Sequence, residues 1–521
     1  MRRSGRALAG LVLFAVAFHA VPAHAQVSAS NILEARVGSD PFDPTQPTNR
    51  LALYDGLDLG YVRDRLRLGL RFETARNSQD TFEYATVTQR FADWTDERVR
   101  ARVGNFYTIL GSGLIHRSFE VPGVVLDPPG EDSPYQLARD VDGALVEASA
   151  GPVAVRGLLG SPNGGTESPA VEDEGGPARH SGNLGGGQIE VTPRPGVRAG
   201  AAYARFSAST FAGTNTSEHG SGFAALDPLA LAGVTRSAGI SLPLYAEYAQ
   251  TNASFADWFK FRTGDDVPHA LYAGANLLWG VFSLSAEWKD YEDFRLGTND
   301  PPSLVRESAF PLLNRNTHVL NATSEQGYQL EATAAGPGWG AFTINLSRAD
   351  GAPSGFPVRY EEHYVELAVP SPGAGRTEAT FFWDRGFDQY VFIDFREIYG
   401  GSAMHRLDAV WSVSADVEFL RAVRAPGVGY RDWYTSLQVA RAEWGSLGIV
   451  WDRSTDPAVE DPDRPGEPSV YLSGNASARI TRSTQALLFV GERRLQLACT
   501  AGTCYEVPAF RGVELRLLSR F

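Results

Sequence analysis

The chain ends in VELRLLSRF (residues 513–521), and this stretch alternates between two kinds of side chain. The odd positions are apolar except for Ser519, and the even positions are charged except for Leu518. A period of two with one apolar and one charged face predicts a β-strand between lipid and a wet interior. An edge strand of a soluble sheet has the same pattern, so the rest of the chain must distinguish the two.

The other end of the chain has the features of a secretory signal peptide. Arginines at positions 2, 3 and 6 precede a short apolar core at residues 7–20, and Ala23-His24-Ala25 is a small-x-small cleavage signature. We therefore expect residues 1–25 to be a signal peptide and residues 26–521 to be a single β-barrel domain. No later run of 18 apolar residues follows, and an exported membrane protein without such helices requires a closed barrel.

The two-residue period recurs along the chain in hairpin-like pairs. Short connections, such as residues 63–65, 151–152, 336–340 and 481–483, alternate with long ones, such as residues 161–183, 207–237, 291–324 and 453–469. Short turns at one rim and long loops at the other are typical of outer-membrane barrels. We predict an all-β, transmembrane antiparallel outer-membrane β-barrel of about 24 strands, in the range of about 22 to 26, with no separate plug domain. The count needs a short first strand near residues 31–37 and weak strands near residues 234–242 and 417–423.

Composition excludes several functions. The formal net charge is −14 and falls to about −17 when the three signal-peptide arginines are removed, which argues against nucleic acid as a partner. The sequence contains neither a G-x-S-x-G nor an H-E-x-x-H motif, so we predict no enzyme activity, cofactor or metal site. Only two lysines occur, Lys260 and Lys289, and we interpret this scarcity as genomic bias. The acidic stretch from residue 452 to 467 leaves open a role in ion binding, although its prolines favour a solvated loop.

The segment from Gly104 to Gly143 is the candidate for an infolded lumen element, because so wide a barrel cannot fill its interior with strand side chains. It resembles the N-terminal third of a family of functionally uncharacterised outer-membrane barrel proteins. The motif residues that carry the resemblance are Gly104, Asn105, Phe106, Tyr107, Gly111, Gly113, Leu114, Arg117, Glu120, Asp127, Asp142 and Gly143. The match covers about 40 residues closely and residues 51–160 loosely. The resemblance implies a barrel in the cell envelope and brings no known activity.

Charged residues on the predicted inner face are candidates for lining a pore. They are Arg67, Arg71, Arg98, Arg100, Arg102, Arg117, Glu120, Asp127 and Arg516. Arg117 paired with Glu120 or Asp127 would lock the infolded segment, either as a constriction or as a structural latch. An arginine-rich wall would draw anions, although polar residues also occur in barrel interiors without selecting ions.

Two functions from different classes fit these observations. The first is a porin-like channel for small solutes, favoured because about 24 strands enclose more space than structure requires. The alternative is a non-conducting surface barrel whose long loops bind a partner, polysaccharide or lipid. In either case we expect the bacterial outer membrane as location and outer-membrane lipid and lipopolysaccharide as partners. The terminal Phe521 would be read by the barrel assembly machinery. The sequence does not specify an oligomeric state.

Cys499 and Cys504, in the string CTAGTC, are the only cysteines. An exported chain with two close cysteines predicts a disulfide that pins one loop and does no chemistry. We expect thiol labelling of the unreduced, denatured protein to find no reactive thiol. Stoichiometric labelling at both positions would contradict the bridge.

Overall fold

The computed structural model describes residues 25–521 except 42–48, 80–81, 128–132, 166, 174–177, 211–212, 235–238, 253–266, 321–322, 337, 371–375, 461–463, 465 and 501–502. The predicted signal peptide therefore lies outside the described residues, apart from Ala25. No helix in this part of the chain has the length and apolar character needed to cross a membrane.

The described part of the chain is built almost entirely of strands. In chain order they are β1 (Ala25–Ser39), β2 (Leu51–Arg63), β3 (Leu66–Asn77), β4 (Tyr84–Thr95), β5 (Val99–Phe106), β6 (Ile109–Leu110), β7 (His116–Arg117), β8 (Phe119–Leu126), β9 (Tyr135–Arg139), β10 (Val141–Ala150), β11 (Val153–Pro162), β12 (Asn183–Arg194), β13 (Val197–Thr210), β14 (Gly213–Leu226), β15 (Ile240–Ser241), β16 (Leu244–Asn252), β17 (His269–Trp279), β18 (Phe282–Glu292), β19 (Ser324–Gly336), β20 (Gly340–Gly351), β21 (Val358–Pro370), β22 (Thr377–Asp388), β23 (Ile393–Arg406), β24 (Trp411–Arg424), β25 (Val428–Arg441), β26 (Gly445–Ser454), β27 (Ser469–Arg479), β28 (Thr484–Arg493), β29 (Gln496–Thr500), β30 (Thr503–Val507) and β31 (Phe510–Arg520). Short helices cover Pro169–Asp173, Pro228–Leu231 and Pro311–Arg315, and 3-10 turns cover Pro353–Gly355, Gln389–Val391 and Pro457–Val459.

The wall is a closed antiparallel barrel of 24 strands, as predicted. It contains every strand except β6–β9, β29 and β30, with the two-residue β15 pairing beside β16 on β17. Closure comes from β1, which pairs with both β2 and β31. Along this seam the register runs from Ser30 opposite Arg520 to Ser39 opposite Arg511. The seam leaves no free strand edge, which is what a lipid environment demands.

The alternation predicted at the C-terminus appears in β31. Val513 and Leu515 are exposed on the outside, whereas Glu514 is buried on the inside. The same rule holds on β20, where Phe342, Ile344 and Leu346 are exposed and the residues between them are buried. An apolar outer surface around a polar interior is the arrangement expected for lipid-facing strands.

Connection lengths divide the barrel into two ends. We call the end with the short turns after β2, β10 and β25 the turn side, and the opposite end the loop side. The exposed residues Trp279, Trp339 and Trp444 lie in or beside turn-side connections.

Of the strand predicted near residues 234–242, the described residues show the two-residue β15, Ile240–Ser241, which pairs with β17 in the wall sheet. The next strand is Leu244–Asn252. The long loop predicted at residues 207–237 instead contains β14. On β14 the outward positions include Gly220 and Gly222, which carry no apolar side chain, so the sequence of this strand shows no clear alternation. The weak strands near residues 31–37 and 417–423 are confirmed within β1 and β24.

Phe521 combines a paired backbone with an exposed ring. Its backbone N–H donates to Ala29 and its carbonyl accepts from Ala29, while its side chain is 74% exposed. Phe521→Asp should cost only about 0–1 kcal/mol of fold energy at the rim, yet we expect the amount of inserted protein to fall sharply. Heat-modifiable, membrane-inserted barrel is the readout, with Phe521→Tyr as control. Normal insertion of the Asp variant would argue against recognition of the terminal aromatic.

Candidate functional site: the occupied lumen

The loop between β5 and β10, residues 107–140, enters the barrel, and we call it the first lumen segment. Near the seam, Arg36 Nη1 on β1 binds Asp127 Oδ2 at 2.8 Å. On β16, the eleventh wall strand, Glu247 Oε2 accepts a hydrogen bond of 2.6 Å from the backbone N–H of Ser112. These contacts lie on nearly opposite sides of a 24-strand ring, so the segment crosses the lumen.

Arg71 is the central anchor of this segment. It lies on β3, is 7% exposed, and binds Asp58 Oδ1 at 2.7 Å and Glu120 Oε1 at 2.6 Å. The neighbouring Glu73 accepts from the backbone N–H of Gln136 at 3.1 Å. Ion pairs held away from water and hydrogen-bonded on both sides specify one position of the segment.

The position of Gly111 in the motif is explained by its close approach to the barrel wall. Gly111 has φ of +60°, and a Cβ built on it would collide with the carboxylate of Glu247. Its N–H donates to Gln188 Oε1 at 2.8 Å. Only a residue without a side chain allows this backbone to approach the wall so closely.

The loop between β18 and β19, residues 293–323, also enters the barrel, and we call it the second lumen segment. Its helix Pro311–Arg315 presents the N–H of Leu312 to Glu418 Oε2 on β24 at 2.8 Å. Arg315 Nη2 binds Asp452 Oδ2 on β26 at 2.7 Å. Arg306 Nη2 binds Glu366 Oε2 on β21 at 3.2 Å. This segment therefore occupies the half of the lumen that the first leaves free.

Apolar packing reinforces both segments. The first buries Leu110, Leu114 and Ile115 against inward-facing wall residues of β10–β18. The second buries Leu312 and Leu313 in a separate cluster with residues of β21–β25. Each fully buried side chain of this size contributes about 1.5–3 kcal/mol. Hydrophobic clusters therefore hold both segments in the lumen in addition to the ion pairs.

The two segments are joined to each other. Arg117 Nη1 binds Asp300 Oδ2 at 2.8 Å, and Arg139 Nη2 donates to the carbonyl of Gly297 at 2.7 Å. Asn299 Nδ2 donates to the carbonyl of Leu114 at 3.0 Å. Burial raises the pKa of Asp300 above its usual value, against the opposing charges of Arg117 and Arg139. The segments form one connected unit inside the wall.

The disulfide hairpin, β29 with β30, completes this unit. Cys499 and Cys504 are joined by an S–S bond of 2.08 Å. The backbone of Cys499 donates to Asn314 Oδ1 at 2.8 Å, and its carbonyl accepts from Asn314 Nδ2 at 3.2 Å. The bridge therefore stiffens a hairpin that holds the second lumen segment.

A cavity of about 1360 Å³ opens on the loop side between these three elements. It is lined by both lumen segments, by the disulfide hairpin and by the loops after β20 and β22. Its carboxylates are Asp127, Asp300, Glu307 and Glu506, and its arginines are Arg139 and Arg295. A smaller cavity of about 310 Å³ on the turn side is lined by residues that include Arg98, Arg100, Glu147 and Arg156.

The predicted pore residues fall into two groups. Five of them converge on the first lumen segment or its anchors, namely Arg71, Arg117, Glu120, Asp127 and Arg516, the last through Nη1 to the carbonyl of Gly123 at 3.3 Å. Their partners differ from those expected within the segment. Arg117 pairs with Asp300, Glu120 with Arg71 and Asp127 with Arg36, because each side chain reaches out of its own hairpin.

The other four, Arg67, Arg98, Arg100 and Arg102, lie toward the turn side. Arg98 is exposed in the turn before β5, and Arg67 is exposed near the start of β3. Arg100 Nη2 binds Asp93 Oδ2 at 2.7 Å and its Nη1 binds Glu147 Oε2 at 3.2 Å. Arg102 lies over the ring of Phe91 at 3.6 Å and donates to the carbonyl of Asn105 at 2.7 Å. The inward arginines are thus compensated by neighbours.

Sequence reasoning missed a second anchoring network. Lys289 on β18 is buried, donates to the carbonyl of Ser303 at 2.5 Å and pairs with Glu325. One of only two lysines therefore has a structural role rather than reflecting composition alone. In the acidic stretch, Asp452 pairs with Arg315 and Asp456 pairs with Arg424. Where the chain is described, no group of His, Cys, Asp and Glu is arranged to hold a metal ion.

Comparison with known proteins gives limited information. Residues 24–122 match a family of unknown function (DUF6029), and no curated protein matches the chain. The P pilus usher (PapC) translocation pore is similar with a TM-score of 0.43 and 9% identity, over 95% of this chain and 99% of that one. The siderophore receptor PirA from Pseudomonas aeruginosa gives 0.42 and 11%, over 95% and 80%. A BenF-like porin from Pseudomonas fluorescens Pf-5 gives 0.40 and 9%, over 73% and 97%. With TM-scores below 0.5, these three similarities say nothing about substrate.

His318 makes the second lumen segment sensitive to pH. Its Nδ1 lies 2.8 Å from Asp388 Oδ2, its Nε2 lies 3.3 Å from Glu325 Oε2, and its ring stacks on Tyr360 with centroids 4.3 Å apart. Burial alone would lower its pKa, but hydrogen bonds to the two carboxylates raise the pKa of His318 above the usual 6.5. Protonated His318 therefore stabilises the folded state fully when the pH is below the ordinary histidine pKa. This contribution is lost as the pH rises through the higher pKa that His318 has in the folded protein.

We therefore expect hydrogen-exchange protection of residues 293–323 to fall as the pH rises above 6.5, the ordinary histidine pKa. His318→Gln should have low protection throughout and little pH dependence. His363→Gln, on an exposed outer-surface residue, is the control. The same pH-dependent loss of protection in His318→Gln as in the wild type would rule out this latch.

Proposed function

We propose that the protein is an outer-membrane channel for small solutes whose passage is restricted by the two lumen segments. The observation that carries the proposal is the cavity of about 1360 Å³ on the loop side, framed by both segments. A 24-strand wall is wide enough to hold an aqueous route as well as infolded chain. In this proposal the turn side faces the periplasm and the loop side faces outward, as in barrels of this class.

The charge arrangement supports weak ion selectivity rather than the anion preference expected from the arginine pattern. Arg100 shares Asp93 and Glu147, so its charge is largely compensated. In the cavity four carboxylates face two arginines, and Asp127 and Asp300 are themselves held in ion pairs. Permeating ions would therefore meet no continuous basic wall.

The alternative function is a non-conducting barrel that binds a ligand in the same cavity. It is favoured by the two apolar clusters, because packed side chains exclude water from the parts of the lumen they fill. Current through the purified protein distinguishes these functions.

We expect the wild-type protein to conduct weakly in planar bilayers. Replacing residues 122–135 by a short turn containing Asn-Gly should raise the single-channel conductance, because it removes the part of the first lumen segment that reaches the seam. Arg36 keeps its contact of 2.9 Å with Glu34, so the replacement leaves no lone buried charge. The measurement is a conductance histogram at fixed salt.

The control for insertion and purification is Arg205→Gln, whose side chain is exposed and lies 3.9 Å from Glu218. It should conduct like the wild type. The absence of current from both the wild type and the shortened variant would contradict the channel and favour the ligand-binding barrel.

A further inference from the structure

Four arginines on the outer surface form an unusual group at the loop-side ends of β22, β24, β25 and β26. Three of them belong to one cross-strand row, in which Arg385 lies opposite Glu397, Glu397 opposite Arg421, and Arg421 opposite Arg431. Arg453 is the diagonal neighbour of Arg431, since it lies opposite Trp433. The residues that alternate with them, such as Asp384, Leu420 and Asp432, are buried on the inner face. The arginines therefore point away from the lumen.

These arginines have no ion pair within 4 Å among the described residues, in contrast to other outward charges. The row's only carboxylate, Glu397, accepts a hydrogen bond from Trp383 Nε1 at 3.2 Å. Arg385 and Arg421 instead flank the ring of Phe395, at 5.5 and 5.7 Å from its centroid. Another acid, Asp394, is exposed at the end of β23.

The direct opposition of Arg421 and Arg431 is unfavourable by itself. Like charges opposite each other on neighbouring strands repel, and the row carries three arginines against one glutamate. On the same surface, Arg348 and Arg359 both bind Asp350, at 2.7 and 2.5 Å, and His363 binds Glu361 at 3.1 Å. These loop-side charges are paired, whereas the group made by Arg385, Arg421, Arg431 and Arg453, which we call the arginine patch, has no ion pair within 4 Å among the described residues.

An aromatic row fixes the depth of the patch. One step closer to the turn side, Trp383 lies opposite Tyr399, Tyr399 opposite Phe419, and Phe419 opposite Trp433. The rings of Tyr399 and Phe419 stack with centroids 5.5 Å apart. Tryptophan and tyrosine concentrate where hydrocarbon meets head groups. The arginine patch is thus at head-group level, with apolar surface directly beneath it.

We propose that the arginine patch binds the phosphorylated head group of an outer-leaflet glycolipid, that is, the lipid A part of lipopolysaccharide. Phosphate oxygens accept charge-assisted hydrogen bonds from guanidinium groups and would relieve the repulsion between Arg421 and Arg431. From β22 to β26 the patch crosses five neighbouring strands and spans about 19 Å, a width suited to a large head group rather than a single small anion. The acyl chains would lie on the aromatic row and the apolar band below it. The proposal does not depend on whether the barrel conducts.

The test is a titration of the purified protein with bisphosphorylated lipid A in mixed micelles, read by native mass spectrometry. The fourfold variant Arg385→Gln, Arg421→Gln, Arg431→Gln and Arg453→Gln should bind at least about tenfold more weakly. Arg205→Gln should bind like the wild type, because that exposed arginine has a carboxylate neighbour. The fourfold Arg→Lys variant should keep part of the binding, since lysine provides charge without the bidentate fork.

Dephosphorylated lipid A has the same acyl chains and should bind weakly to every variant. If the fourfold Gln variant binds bisphosphorylated lipid A as tightly as the wild type, or if the dephosphorylated lipid binds equally well, the proposal is overturned. Displacement of the lipid by inorganic phosphate at equal concentration would also overturn it. If the fourfold variant fails to insert, the double variant Arg421→Gln and Arg431→Gln is titrated in the same way. We again expect it to bind bisphosphorylated lipid A more weakly than the wild type, and wild-type affinity would again overturn the site.

Discussion

The pairing of β1 with β31 is the constraint on which the structure depends. In a membrane every strand edge must be paired, so the wall has to close wherever its last strand meets its first. Closing after 24 strands sets a circumference that strand side chains alone do not fill. The two lumen segments fold inward and fill part of this space. The first of these is anchored at the seam, through Arg36 to Asp127 and Arg516 to Gly123, so the lumen segment and the closure are linked.

The inner face is organised by charge. Arg71 and Lys289 are buried and Arg315 is largely buried, and each contacts at least one carboxylate supplied by a different part of the chain. Leaving any one of these charges without a partner would be expensive, whereas the paired arrangement selects one docked position for each segment. On the outer face the arginine patch differs, because its cations contact aromatic rings and have no ion pair within 4 Å among the described residues. The buried inner charges are therefore paired within the protein, whereas the arginine patch is not.

The wall was largely predictable because alternation is local. Val513 to Leu517 and Phe342 to Leu346 show their two faces without any knowledge of neighbours. β14 was missed because Gly220 and Gly222 occupy outward positions that normally reveal the lipid side. The contacts between lumen residues could not be predicted, for a different reason. Arg117 meets Asp300 across 183 residues of sequence, and a single sequence carries no signal that couples two such positions. The motif around Gly111 indicated the correct segment. The role of Glu247, whose carboxylate a Cβ at Gly111 would meet, could not be predicted from the sequence.

The first lumen segment crosses the barrel and docks on its far wall. The double variant Ser112→Cys and Glu247→Cys, in a background with Ser at positions 499 and 504, tests this directly with a short bismaleimide applied to the inserted protein. We expect rapid cross-linking, since Ser112 N and Glu247 Oε2 are 2.6 Å apart. A pair at Ser112 and Glu34, on the seam side, should remain uncross-linked. Equal cross-linking of both pairs, or none between Ser112 and Glu247, would contradict a segment that spans the lumen.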